Sequence, residues 1–170
     1  MLFQKSIAAG NTKHLQGENE QKGKTPMALT TFGAVMGFAA EMVRQGEETY
    51  RVAVEKAKDP GLRDGLKGLL AEETKNRSLM ERARREHVTE MILEPITGLR
   101  QEDYEMKVQV SPGDVDGDLL KIALAVEEKE LKFFQECSAR IPLPEVANIF
   151  RKVARKKESN LARLRNLALG

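Results

Sequence analysis

Two stretches of this chain carry the same marks in the same order, 84 residues apart: Ala39 with Ala123, Tyr50 with Phe134, Pro60 with Pro144, and Asn76 with Asn160. A proline, an aromatic and an asparagine in one register point to a duplicated supersecondary unit. The unit reads as a helical hairpin. In the first copy Phe32, Val35, Met36, Ala39, Val43, Gly46, Tyr50 and Ala53 recur at three- and four-residue spacing, the stripe of an amphipathic helix. Asp59-Pro60 interrupts it, as proline does at a break or in the first turn of a new helix. Leu62, Leu66, Leu69, Glu73, Asn76, Met80, Ala83 and His87 then share one face of a second helix. In the second copy a third helix, from about Asp118 to Ala139, turns Leu120, Ala123, Glu127, Glu130, Phe134 and Cys137 inward. After IPLP a fourth does the same with Val146, Phe150, Val153, Lys157, Asn160 and Leu164.

The pattern predicts an all-α fold, an antiparallel four-helix bundle with a long crossover between helices two and three. The hairpins cover 30–94 and 118–168, and the connection covers 95–117. That connection, rich in proline, glycine and aspartate, is expected to pack poorly and to move; its VQV adds at most a scrap of strand. Residues 1–28 contain the aperiodic run GENEQKGKTP and read as a polar, flexible leader, with Met27 an alternative start.

Composition narrows the function classes. Charged residues make up 32 % of the 170 positions and tryptophan is absent, which suits long helices better than a sandwich. Net charge is +2, and the basic runs RARR and RKVARKKE are interleaved with glutamate and lack stacking aromatics, so no nucleic-acid partner is expected. The one cysteine, Cys137, allows no intramolecular disulfide and reads as a core residue of a reducing compartment. No apolar run reaches the roughly 18 residues of a membrane span, and there is no signal peptide, so a cytoplasmic location with no membrane partner is expected. Phosphate-binding loops, dinucleotide fingerprints and nucleophile triads are also missing.

The stretch from Ala39 through Tyr50 and Pro60 to Met80, and again residues 118–168, resembles the rubrerythrin branch of the ferritin-like superfamily, over about 140 residues. Each half of that family carries a glutamate, an aromatic seven residues later, a loop proline ten beyond it, then Glu-x-x-His. Tyr50, Pro60 and Asn76, like Phe134, Pro144 and Asn160, follow that ten-then-sixteen spacing. The resemblance implies a ferritin-like bundle holding two iron or manganese ions on carboxylates and two imidazoles. Carried over residue by residue, the metal ligands retained are Glu73, Glu127 and Glu130. Val43 and Lys157 stand at glutamate positions, and Asn76 and Asn160 stand at the histidine positions. A one-residue shift of register would turn Glu41 or Glu47 inward instead of Val43. His14 lies in the leader, and His87 lies about 16 Å beyond Asn76 along its helix. The four-cysteine iron module of full rubrerythrins is absent.

Two functional readings follow. One is a non-catalytic structural or interaction protein without cofactor, whose metal site is largely lost. The other is a di-iron or di-manganese oxidoreductase acting on peroxide or oxygen through an altered ligand set. Under the first, Lys157 takes the place of a metal cation, pairing with Glu73 and Glu127, while Asn76 and Asn160 donate amide hydrogen bonds. The resemblance also implies a homodimer; the sequence does not name a protein partner.

Overall fold

Each helix starts where a first-turn N–H group is either capped or absent. The Thr31 hydroxyl accepts a hydrogen bond from Ala34 N at 3.1 Å and opens α1, Phe32–Lys56. Pro60 and Pro144 stand first in α2, Pro60–His87, and α4, Pro144–Leu169, where a missing N–H costs nothing. α3, Asp116–Arg140, opens with Asp118 accepting from Val115 N at 3.2 Å. The computed structural model describes residues 27–87 and 95–169.

Among the described residues the chain is all-helical, a bundle of four helices with no strand. Besides the helices there is one 3-10 turn, Gln101–Asp103, and an isolated bridge between Ala28 and Arg100. α1 packs closely against α2 and α3 against α4, and sparser contacts join the two pairs. The second pair begins at Asp116 rather than Asp118, because the Asp118 carboxylate caps from inside the helix instead of preceding it. The VQV segment forms no strand ladder among the described residues. The leader falls on residues 1–26, outside the described residues, apart from Met27 and Ala28. The hairpin end at 88–94 lies outside them too.

The expectation that the connection packs poorly is overturned. Ile96, Leu99 and Tyr104 are fully buried. Leu29 N and Ile96 N donate to Leu99 O and Thr30 O, which ties the connection to the entry of α1. The polar look of this segment concealed three apolar anchors spaced among turn residues.

The core falls into two apolar regions. One gathers Val35, Met36, Val43, Met80, Phe133, Phe134, Phe150 and Ala154. The other gathers Tyr50, Leu62, Leu66, Leu69, Leu119, Ala123, Val126 and Leu164. Along every helix the switch from one region to the other happens at the same height. The residues at that height on α2, α3 and α4 are Glu73, Glu127 with Glu130, and Lys157 with Asn160.

Candidate functional site

The polar layer is enclosed. Glu73, Glu127, Glu130 and Lys157 each have 0 % of their surface exposed. The Lys157 ammonium contacts Glu73 Oε1 and Glu130 Oε2 and lies 3.1 Å from Glu127 Oε1. The carboxylates have further support on one side only. Tyr50, from α1, donates its hydroxyl to Glu127 Oε1 at 2.7 Å, and Asn160 Nδ2 donates to Glu127 Oε2 at 3.0 Å. Glu73 Oε2 and both Glu130 oxygens make no hydrogen bond among the described residues, although Glu130 Oε2 keeps its ion contact with Lys157.

Three carboxylates face one ammonium, so full ionisation would leave excess negative charge in a dry layer. Burial pushes the Glu127 carboxyl up to about 7. Burial, and then the Glu127 charge, drives Glu130 well above the usual range. Burial also pushes the Lys157 ammonium down to about 7, against the opposing pull of Glu72. These shifts describe a cluster that holds protons as a unit, in which burial favours the neutral form of Glu130. The Tyr50 hydroxyl is driven far up, by burial and then by the Glu127 and Glu130 charges, so it stays a donor.

Room for Glu130 comes from α1. A Cβ on Gly46 would lie 2.7 Å from Glu130 Oε1, so glycine is what lets the carboxylate enter. Gly46 is also the position 84 residues before Glu130. Glu130 as a partner of Lys157 was missed in the sequence, yet the missing side chain at its repeat position was a readable signal.

The other candidates separate cleanly. Val43 is buried in the apolar region and offers no ligand. Glu41 is half exposed and paired with Arg44. Glu47 is buried but faces Arg51, Arg77 and Thr74, outside the cluster. Asn160 does donate, to Glu127 and, at 2.7 Å, to Glu72. Asn76 does not: its Nδ2 is buried without an acceptor among the described residues, which corrects the expectation that both amides support the carboxylates. Asn76 is only half-buried on α2.

Oxygens of Glu73, Glu127 and Glu130 come within 4.8 Å of one another, a spacing that can grip a cation. Two ions do not fit this donor set. Among the described residues no imidazole reaches the cluster, and an ammonium already stands among the oxygens that would have to bind them.

No protein-family model and no curated protein matches the chain. Among solved structures it is similar to a hypothetical protein from Pyrococcus furiosus, with a TM-score of 0.59 and 20 % identity. The match covers 78 % of this chain and 84 % of that one. At that identity the likeness concerns the fold alone. No described helix is long and apolar enough to cross a membrane.

Proposed function

We propose that this chain is a non-catalytic bundle protein of ferritin-like descent with a structural or protein-binding role. Its helices run antiparallel, with the connection between α2 and α3 as a long crossover. The short turns at Ala57–Asp59 and Ile141–Leu143 against the 28 residues from 88 to 115 support that topology. The observation that carries the functional reading is the Lys157 ammonium lodged among Glu73, Glu127 and Glu130. A resident cation on the chain itself neutralises carboxylates that the rubrerythrin-like proteins it resembles spend on metal. It works as a cytoplasmic homodimer without nucleic-acid or membrane partners.

The close approach of the three carboxylates favours a second reading, an iron or manganese oxidoreductase acting on peroxide or oxygen. Elemental analysis of protein purified from iron- and manganese-supplemented medium separates the two. The first reading expects no stoichiometric metal and no peroxide consumption above that of a Glu73→Gln variant. About two ions per chain, in line with a di-metal carboxylate bundle, would sink it and restore the enzyme.

A further inference from the structure

The segment from Met106 to Val110 belongs to no helix, which sets it apart among the described residues. Met106, Val108 and Val110 are half-buried against the apolar core, while Lys107 and Gln109 are exposed, the period-two alternation of a strand. Among the described residues none of its backbone N–H or C=O groups makes a hydrogen bond. Both flanks are open. A groove of about 500 Å³ separates it from Arg44, Gln45, Glu48, Thr49 and Val52 of α1. A second, of about 280 Å³, lies toward Ala125 and Lys129 of α3. Free edges beside open grooves are a template for one more strand.

We propose that this segment is the dimerisation edge, pairing antiparallel with the same segment of a second copy about a twofold axis at Val108. The proposal rests on the homodimer reading above and says which surface makes it. The sequence is patterned symmetrically about Val108. An antiparallel copy sets Met106 against Val110 on the inner face and Lys107 against Gln109 on the outer, so no like charges meet. The groove wall is electrically balanced, because Arg44 pairs with Glu41 and Arg51 with Glu48. A neutral wall beside a self-matching strand fits an isologous contact better than an acidic or a basic peptide.

The test uses the full chain and two proline variants, Val108→Pro and Gln109→Pro. Consecutive residues of a strand direct their N–H groups to opposite edges, so only one of the two loses a ladder bond. Sedimentation is expected to show a dimer for the parent chain, a monomer for one variant and a dimer for the other, all with unchanged helical signal. Amide exchange over 106–110 should slow about tenfold or more as the parent chain passes from monomer to dimer on concentration. A dimer in both variants overturns the edge while sparing the homodimer reading; a parent chain that is always monomeric overturns both. Loss of dimer in both variants marks a disturbed loop and also overturns the edge. Protection that ignores concentration overturns it too, since another part of the same chain then covers the segment.

Discussion

Removing the Lys157 ammonium leaves three carboxylates facing one another without a counter-cation. Lys157→Met should therefore cost about 3–5 kcal/mol in urea unfolding, the range for breaking a buried pair from one side. Adding Glu130→Gln to that variant should recover part of the loss. The raised Glu127 carboxyl sets a pH signature whose sign is fixed. The folded state keeps a proton that the unfolded chain releases above its ordinary value of 4.5, so this contribution falls as pH rises from there to about 7. Melting temperatures across that window should slope downward for the parent chain and less steeply for Glu127→Gln, where Glu130 still contributes with the same sign. Lys157 acts oppositely: its lowered value makes its contribution rise with pH between about 7 and 10.5. The inward places of Glu73 and Lys157 were legible because Pro60 and Pro144 pin the register of their helices. Glu130 was placed inward with them, but its contact with Lys157 was not legible, because a helical stripe fixes a face and not a partner. Asn76 misled for a related reason: a repeat matches positions, whereas hydrogen bonds need acceptors within reach.

Single glycines separate two kinds of position along the helices. A Cβ on Gly37 or Gly68 would meet nothing within 4 Å, so alanine at either should stabilise by about 0.5–1 kcal/mol through chain entropy. Gly46→Ala should have the opposite sign, since its methyl must displace a carboxylate that has nowhere to go, at roughly 1–3 kcal/mol before the helix preference is credited. Thermal melts of the three variants check the contrast. At the start of α3 the Asp116 carboxylate accepts from Lys58 N at 2.8 Å and Asp59 N at 2.9 Å, tying α3 to the turn between α1 and α2. Those backbone bonds hold Asp116 below its ordinary value of 3.8, so the tie is present above that pH and is lost as pH falls through the depressed value. Asp116→Asn should speed hydrogen exchange at Lys58 and Asp59 at neutral pH and remove the acid dependence there. Helix number and the two proline starts were legible from periodicity. The buried Ile96, Leu99 and Tyr104 were not, because isolated apolar residues among turn formers show no period.

Across the whole molecule, the division of the core into two apolar regions by one polar layer makes the helices a matched set. Sliding any helix by a turn, about 5.4 Å, would push an ion into hydrocarbon and an apolar side chain among carboxylates. Because the layer draws on α2, α3 and α4 and is joined by Tyr50 from α1, the chain should melt in a single transition, with calorimetric and van't Hoff enthalpies equal. Four helices and one inner polar height were within reach of the sequence, while the closeness of the ion contacts needed the packed structure. The same layer restricts how such a chain can diverge. Losing Lys157 alone leaves three carboxylates without their cation, while a concerted change of Glu73, Glu127, Glu130 and Lys157 to apolar residues is tolerable. Descendants of this sequence can therefore lose Lys157 only once its carboxylates are gone, and Gly46 can grow a side chain only after Glu130 has gone.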